Sequence, residues 1–336
     1  MTTRARKRPR TWSLLGDVRR KPSAYEAVTA KFHYHFRRSP APWELDPDMP
    51  LNRWYLTHRE GSPFNVDDWE GFRDPAKLTY KDYVTLQHER ELYLDGLVDR
   101  FEEAGHAEGY PAGWVDTFRS LVVPLRFPMH VLQMASLYVG QMAPSSFITN
   151  CAHFQAADEM RRLQRIAYWT KVVANAHDDA IATTEAARGP WEDDAAWQPL
   201  RETLETMLVA YDWGEAFAAL NLAVKPAFDA MVNVGLRDLA RRNEDEFIAL
   251  ACEEFDRDAA RHRAWTAALV RYALERDGGL AEVLEGWRGS WGPKALAAVE
   301  GLAPLFEGAP EPLAAEEVVA LARTAQEELA GAAGLG

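Results

Sequence analysis

The sequence Asp158-Glu159-Met160-Arg161-Arg162 returns in altered form, one hundred residues later, as Asp258-Ala259-Ala260-Arg261-His262. Both copies begin with aspartate and carry arginine at the fourth position. The second copy has alanine where the first has glutamate, and the first has arginine where the second has histidine. The second and fifth positions are spaced i and i+3, so their side chains share one face of a helix. The two segments are therefore one motif altered in complementary ways.

This motif resembles the Asp-Glu-x-Arg-His element of ferritin-like di-iron carboxylate proteins. Such bundles bind iron through a Glu-x-x-His pair on each of two helices and a further glutamate on each of two others. Here arginine replaces one histidine and alanine replaces one glutamate, so neither copy can hold iron as written. We predict a bundle that lacks an intact di-iron site, with these degenerate motif positions: Asp158, Glu159, Arg162, Asp258, Ala259 and His262.

The remaining ligand positions of such a bundle also lack an evident glutamate. Upstream of the first copy the chain offers Met129, His130 and Gln133. The corresponding stretch upstream of the second copy offers Asn221, Lys225 and Pro226. Each pentapeptide alone could also be an ordinary solvated helix face. The pairing of the two, on helices at matching positions, is what favours the bundle.

The composition indicates a large protein core and no membrane segment. The chain has 336 residues, of which 47% are hydrophobic. No run approaches the roughly 18 apolar residues that a membrane helix requires, and the arginine-rich N-terminus has no apolar stretch behind it. Cys151 and Cys252 are too few for a disulfide framework or a cysteine-rich metal site. We expect a cytoplasmic protein in which both cysteines are buried.

The N-terminal part of the chain carries a charge opposite to that of the rest. Residues 1–38 contain eleven Lys and Arg against two acidic residues, while the whole chain has a net charge of −13. A basic segment can bind nucleic acid, but no nucleic-acid-binding motif accompanies this one. Aromatic residues lie among the charges, which favours an arm laid over an acidic partner protein.

Residues 39–78 are rich in proline and tryptophan, which predicts irregular backbone. An irregular segment of about 40 residues is unusual inside a compact domain. We therefore predict that residues 1–78 form an extended arm, and that residues 11–75 lie largely on a partner chain. The predicted interface residues are Trp12, Tyr25, Tyr34, Trp43, Trp54, Tyr55 and Trp69.

From residue 79 onward the apolar spacing is helical, and no Val/Ile-rich alternating runs compete with it. We predict long helices over 79–104, 112–143 with bends at Pro124 and Pro128, 144–187, 212–242 and 243–276. Shorter helices are predicted over 200–210, 280–289, 293–303 and 313–331, with a loop over 189–199. The fold class is all-α: a ferritin-like (ribonucleotide-reductase-like) bundle over 79–290, followed by extra C-terminal helices in 291–336.

Several stretches together resemble the β subunit of the hydroxylase of a bacterial multicomponent di-iron monooxygenase, of the toluene/aromatic or alkene/isoprene branch. They cover about residues 10–290 and are Arg10–Ser13, Lys21–Tyr25, Lys31–Tyr34, Pro42–Leu45, Asn52–Tyr55, Gln141–Pro144, Ser146–Cys151, Asp212–Phe217, Leu220–Pro226 and Arg261–Trp265.

The resemblance implies an (αβγ)₂ hydroxylase whose α subunit carries the di-iron centre, with a γ subunit and a second β subunit. It also implies a regulatory protein, a Rieske-type 2Fe-2S ferredoxin and an FAD-containing reductase that uses NADH. With O₂, such a system mono-oxygenates an apolar aromatic or alkene substrate. This chain would carry no catalytic residue and no cofactor. Consistent with that, it has no glycine-rich phosphate loop, Cys-x-x-Cys or dinucleotide fingerprint.

Two other functions stay open at this point. The chain could be a stand-alone di-metal enzyme with atypical ligands, or a structural helical protein unrelated to oxygenases. The resemblance further implies that the aspartate of each copy supports the fifth residue of the other. We therefore expect Asp158 to face His262 and Asp258 to face Arg162, with Glu159 paired to Arg161 or Arg162.

Overall fold

The computed structural model describes residues 22–30 and 47–336. Within these ranges every regular element is helical, which confirms the all-α prediction. Three of the predicted interface residues, Trp12, Tyr34 and Trp43, lie outside the described residues. None of the helices within them combines the length and the apolar character that crossing a bilayer requires.

The α-helices of the described ranges are, in chain order, α1 (Ala24–Thr29), α2 (Pro50–Tyr55), α3 (Tyr80–Glu103), α4 (Ala112–Thr117), α5 (Arg126–Met142), α6 (Ser146–Ala176), α7 (Thr184–Asp193), α8 (Gln198–Met207), α9 (Trp213–Phe217), α10 (Lys225–Asp229), α11 (Arg237–Arg242), α12 (Glu246–Leu274), α13 (Leu280–Glu307) and α14 (Ala315–Ala333). Turns of π-helix lie at Leu56–Glu60, Phe118–Val122, Ala218–Val224 and Ala230–Leu236. Short 3-10 turns lie at Trp69–Gly71, Ala107–Gly109, Val123–Leu125 and Asp179–Ala182.

The helices form a ferritin-like bundle whose centre is the contact between α6 and α12. On one side, α3 packs against both of them. On the other side, α5 packs along α6, and the composite helix made of α9, α10, α11 and the π turns between them packs against α12. The C-terminal helices α13 and α14 cover the outer side of that composite helix. The central contact is therefore covered by α3 on one side and by the composite helix on the other.

Side-chain caps start the central helices where the sequence supplies them. The Asp245 side chain accepts a hydrogen bond from the backbone N–H of Ile248 at the start of α12. Thr79 and Asp82 form a capping box at the start of α3. Such caps satisfy backbone N–H groups that have no partner within the helix. They fix where each helix begins, and hence which residues reach the centre.

The sequence predicted that helices break near Pro190 and Pro293, and both predictions are wrong. Residues 189–199 were expected to be a loop, but α7 continues through Pro190 to Asp193. Trp191 is buried against Phe127 and Trp197. Its burial offsets the single hydrogen bond that proline removes near the helix end. The predicted third long helix, 144–187, correspondingly ends earlier, at Ala176.

The C-terminal region departs from the prediction in the same way. Instead of two helices over 280–289 and 293–303, α13 runs unbroken from Leu280 to Glu307 and contains Pro293 and Pro304. Trp291 and Ala295, on either side of the first proline, are both buried, and α13 packs as one element against α8 and α14. The predicted boundary at residue 290 thus falls inside a helix.

Within residues 22–30 and 47–78, the backbone before α3 is partly helical rather than irregular, and two of the predicted interface aromatics pack on their own chain. Helix α2 begins at Pro50, where the missing N–H of proline has no intrahelical partner to lose. Tyr25 and Trp69 are only 4% and 6% exposed. Tyr25 donates a hydrogen bond to Asp74. Tyr25 lies in α1 and Trp69 begins a 3-10 turn, and both belong to the hydrophobic core of this chain.

Candidate functional site

The contact between α6 and α12 brings all six degenerate motif positions together. Asp158, Glu159 and Arg162 project from α6, and Asp258, Ala259 and His262 project from α12; every one of them is buried. A cavity of about 10 Å³ lies among these six side chains and those of Lys225 and Phe255. The structure therefore places a dense group of ionisable side chains where the sequence predicted a degenerate metal site.

One of the two predicted crossing contacts is confirmed and the other is wrong. His262 Nε2 lies 2.8 Å from the Asp158 carboxylate, as expected. Asp258, however, does not face Arg162. It accepts a hydrogen bond from Arg161 Nη1 at 2.7 Å and another from Gln87 Nε2 at 2.9 Å. The side chain of Arg162 points instead toward α10.

The two aspartates are held by arginines of the opposite helix, in an arrangement that we call the aspartate–arginine crossing. Arg261 of α12 donates to Asp158 of α6, while Arg161 of α6 donates to Asp258 of α12. Each arginine is the fourth residue of its pentapeptide. The arginine at the fourth position of each copy is thus evident from the sequence. The aspartate to which it donates was not predicted.

Helix α3 adds a third layer to this crossing. Gln87 Nε2 donates to both aspartates, at 2.6 Å to Asp158 and 2.9 Å to Asp258. Tyr83 donates to Asp158 at 2.8 Å, and Arg90 donates to Asp258. Each carboxylate oxygen of the two aspartates thus accepts at least one hydrogen bond. The crossing is therefore a satisfied polar network within a buried helix contact.

Glu159 belongs to a second group, which we call the ion quartet: Glu159, Arg162, Lys225 and Asp229. Lys225 Nζ contacts the Glu159 carboxylate and lies 2.9 Å from Asp229 Oδ2. Arg162 Nη1 lies 2.8 Å from Asp229 Oδ1 and 3.5 Å from Glu159. Glu159 does pair with Arg162, as expected, but its nearer cation is Lys225. Two buried carboxylates thus face two buried cations.

The composite helix positions two members of the quartet, and the neighbouring Asn233, at intervals of four. Lys225, Asp229 and Asn233 follow one another along its inner side, and the Asn233 side-chain oxygen accepts from Arg162 Nη2 at 2.7 Å. Turns of π-helix, Ala218–Val224 and Ala230–Leu236, flank α10. Such turns are frequent at functional sites. The i, i+4 pair of Lys225 and Asp229 was the sequence signal for this group, although such pairs are usually solvated.

Burial and charge act in opposite directions on the quartet. Burial would lower the pKa of the Lys225 ammonium, but the neighbouring Asp229 and Glu159 carboxylates outweigh it and raise that pKa. Burial would likewise raise the pKa of Asp229, and Lys225 and Arg162 hold it below its ordinary value instead. Lys225 and Asp229 are therefore charged at neutral pH and compensate each other.

His262 is the neutral member of the site. Burial, followed by the positive charges of Lys225 and Arg261, lowers the pKa of its imidazole well below the ordinary value. A neutral ring has one N–H, and with Nε2 donating to Asp158 its Nδ1 becomes an acceptor. That Nδ1 is buried and has no hydrogen-bond partner.

We expect this histidine to make stability depend on pH. Below about pH 6.5, the unfolded chain protonates at this residue while the folded chain does not. The free energy of unfolding should therefore fall as the pH drops, by up to about 1.4 kcal/mol per pH unit from this group. Urea denaturation between about pH 7 and 5.5 measures it. His262→Gln should flatten the dependence, and an unchanged slope in that variant would contradict the assignment.

These residues do not fit a di-iron centre. In the part of the chain that the structure describes, no group of three or more His, Cys, Asp or Glu side chains is placed to hold a metal ion. The ammonium of Lys225 lies between Glu159 and Asp229, and the guanidinium of Arg162 lies beside them. Cationic side chains of the protein itself thus form ion pairs with the carboxylates that a metal ion would need as ligands.

Fold and site together define a ferritin-like bundle with a charge-compensated centre, and comparison with known proteins identifies its family. Residues 54–277 match the Methane/Phenol/Alkene Hydroxylase family. The chain belongs to this family. Its membership supports a role as a hydroxylase component of a monooxygenase.

Individual similar proteins support the assignment to this family. Over 300 residues the chain is 42% identical to the hydroxylase component subunit beta of the toluene-4-monooxygenase system of Ectopseudomonas mendocina, an alignment that covers 89% of this chain and 91% of the relative. It is 24% identical to an oxygenase component of phenol 2-monooxygenase from a Pseudomonas species, DmpL, over 87% of this chain and 83% of that one. The solved structure of toluene 4-monooxygenase with toluene bound superposes with a TM-score of 0.83 at 40% identity, covering 90% of this chain and 99% of that chain.

Proposed function

We propose that this chain is the non-catalytic β subunit of an (αβγ)₂ hydroxylase in a multicomponent monooxygenase. The observation that carries the proposal is the ion quartet, in which Lys225 and Arg162 bind the carboxylates that a di-iron centre would require. The relative of 42% identity is itself named a subunit beta of a hydroxylase component. A chain with this core supplies structure to the enzyme, and the chemistry belongs to another subunit.

The proposed contribution of the chain is rigidity. The aspartate–arginine crossing joins α3, α6 and α12 through buried, charge-assisted hydrogen bonds, which are stronger than neutral ones. A metal site in a partner subunit depends on supporting groups that hold its ligands in place. A stiff bundle packed against an α subunit would keep that subunit's helices in the arrangement that its ligands need.

The partners follow from this role. An α subunit would hold the di-iron centre, which supplies O₂ activation, and a γ subunit and a second β subunit would complete the hydroxylase. A regulatory protein, a Rieske-type ferredoxin and an NADH-dependent flavin reductase would serve it, in the cytoplasm. The substrate pocket would lie in α. Since the similar solved structure binds toluene, we propose an apolar aromatic substrate, with alkenes as the second choice.

Metal content and co-purification test the proposal together. The full-length chain, purified alone, should retain no stoichiometric iron, because Arg162 and Lys225 would repel a metal ion from Glu159. Expressed with its genomic neighbours, it should co-purify with a larger, iron-bearing paralogue, and that complex should oxidise toluene, phenol, isoprene or propene with NADH.

The rival functions predict different results. Two iron ions per isolated chain would favour a stand-alone di-metal enzyme. A chain that retains neither iron nor a paralogous partner would favour an unrelated structural protein. The assay on several substrates then decides between the aromatic and the alkene branch.

A further inference from the structure

The outer surface of α5 and α6 lacks charged side chains, although 26% of the residues of the chain are Asp, Glu, Lys or Arg. Between Arg126 and Lys171 the sequence contains five such residues. Four of them lie at the bundle centre and are buried. The fifth, Arg165, turns toward α3 and pairs there with Glu91 and Asp95. Between these limits, the exposed positions of the two helices therefore carry no Asp, Glu, Lys or Arg.

Helix packing brings these exposed positions onto one surface, because α5 lies along α6. A Cβ atom at position 140 would lie 2.6 Å from the His153 ring, so Gly140 makes room for that ring between the two helices. Burial lowers the pKa of His153, which keeps the imidazole neutral at neutral pH. We call this surface the uncharged face, and its residues are Leu137 and Gln141 of α5 and His153, Ala157, Gln164 and Tyr168 of α6.

The exposed faces of α3 and α14 are different in composition. Helix α3, next to α6, exposes Lys81, Glu89 and Asp99, and α14 exposes Glu316 and Glu327. Solvated surfaces are rich in such residues, whereas the core of a protein–protein interface is depleted of charge. The uncharged face therefore has the composition of a surface that another protein covers.

The uncharged face continues into the surface around Trp54. Tyr138 of α5 donates a hydrogen bond to the backbone oxygen of Tyr211 at 2.6 Å, and the Tyr211 ring centroid lies 4.9 Å from that of Trp54. Gln141 Nε2 donates to the Tyr55 hydroxyl at 3.4 Å. Since Trp54 and Tyr55 are predicted interface residues, a single partner could cover both surfaces.

We propose that the uncharged face is the surface through which this chain binds the α subunit. This assignment rests on the proposed function. It adds two long helices of the bundle to an interface that the sequence placed on the segment before α3 alone. The partner would contribute a face that is equally poor in charge, because a charge buried there without a partner would oppose binding.

The similarity of this chain to two components of one enzyme favours the α subunit as the occupant. DmpL and DmpN are both oxygenase components of phenol 2-monooxygenase from the same Pseudomonas strain. DmpN is 22% identical over 79% of this chain, but the alignment covers only 50% of DmpN. A longer paralogue of this kind would contain a bundle of the same type. Related bundles can meet through corresponding faces, as identical subunits do in a twofold dimer.

A second copy of this chain is the less suited occupant. Each copy carries a net charge of −13 at neutral pH. A net charge far from zero keeps like molecules apart. Self-association through the uncharged face is therefore an alternative that the experiment must detect.

The decisive experiment places one charge on the uncharged face of the full-length chain. Ala157 is exposed within α6, so arginine there is solvated in the free chain and buried without a counter-charge in the complex. Affinity-tagged Ala157→Arg, coexpressed with the larger paralogue, should retain at least about tenfold less of it than the wild type does. Ala297→Arg is the matched control, because Ala297 is an exposed alanine within α13, and it should retain the wild-type amount.

Two further measurements separate docking from folding. Leu137→Glu places a charge on α5 and should reduce retention of the paralogue in the same way. Both positions are exposed, so the melting temperature of each isolated variant should stay within about 4 °C of that of the wild type. A photo-cross-linking residue in place of Gln164 should become joined to the paralogue in the complex, and one in place of Ala297 should not.

The possible results distinguish this proposal from the proposed function. If the wild type retains the paralogue and both charged variants retain it equally well, the docking surface is wrong and the proposed function stands. A wild type that retains no paralogue contradicts the proposed function and this proposal with it. Loss of folding in both variants would assign the face to the core of this chain and overturn the proposal. An isolated wild-type dimer that Ala157→Arg converts to a monomer would assign the face to a second copy instead.

Discussion

Replacing Arg162 with alanine is expected to lower the free energy of unfolding by about 3–5 kcal/mol, one of the two largest effects that the structure predicts. The guanidinium holds Asp229 at 2.8 Å and Asn233 at 2.7 Å, and it lies over the ring of Phe228. Its removal leaves one buried carboxylate charge without compensation. Urea denaturation of the isolated full-length chain measures the change.

Arg188→Ala is the matched control for this experiment. Arg188 is an exposed arginine that pairs with Glu192 one turn away on α7, so its loss should alter stability by less than about 0.5 kcal/mol. If Arg162→Ala proved as mild as this control, the quartet would have to be open to solvent, against the burial of all its members.

Replacing Trp69 with alanine is expected to destabilise the isolated chain by about 3–5 kcal/mol, as for other buried tryptophans. Trp69 packs against Phe64 and Trp213, with ring centroids 5.3 Å away in both cases. It also lies over Tyr272 of α12. The loss therefore opens a cavity where the segment before α3 meets the bundle. Denaturation of the chain without any partner is the appropriate measurement.

Trp54 provides the contrast, because it comes from the same region and the same residue type. It is 37% exposed and contacts His58 and Tyr211. Together with the half-buried Tyr55 it remains a predicted interface residue. Trp54→Ala should change stability by less than about 1.5 kcal/mol and weaken association with the proposed α subunit. Equal destabilisation by the two substitutions would mean that both tryptophans serve the core alone.

The sequence predicted the type of the elements better than their ends. Amphipathic spacing indicated α3, α6 and α12 correctly because their buried faces repeat at the helical period. It failed at Pro190 and Pro293, where local propensity argues for a break. There the burial of Trp191 and Trp291 in tertiary contacts decides the backbone. Such contacts join residues distant in sequence, and no local pattern shows them.

The contacts of the candidate site were predictable where both partners belong to the repeated motif. The contact of Asp158 with His262 was implied by the resemblance of the paired segments to the di-iron motif. The partners of Asp258 were not, because Arg161 was expected to pair with Glu159, and Gln87 lies in a polar stretch of α3 that contains no motif. Lys225 was noted upstream of the second copy, but its partner Asp229 was missed. An i, i+4 pair of opposite charges is ordinarily solvated, and the sequence does not show that this one is buried.

The aspartate–arginine crossing also favours the native register of α6 against α12 over neighbouring registers. Asp158 of α6 pairs with Arg261 of α12, and Arg161 of α6 pairs with Asp258 of α12. This pattern requires the two helices to run in opposite directions. A slip of three residues one way would set Asp158 opposite Asp258, and a slip the other way would set Arg161 opposite Arg261. Each misaligned state therefore brings like charges together in a water-poor contact. Only the native alignment gives each aspartate an arginine of the opposite helix.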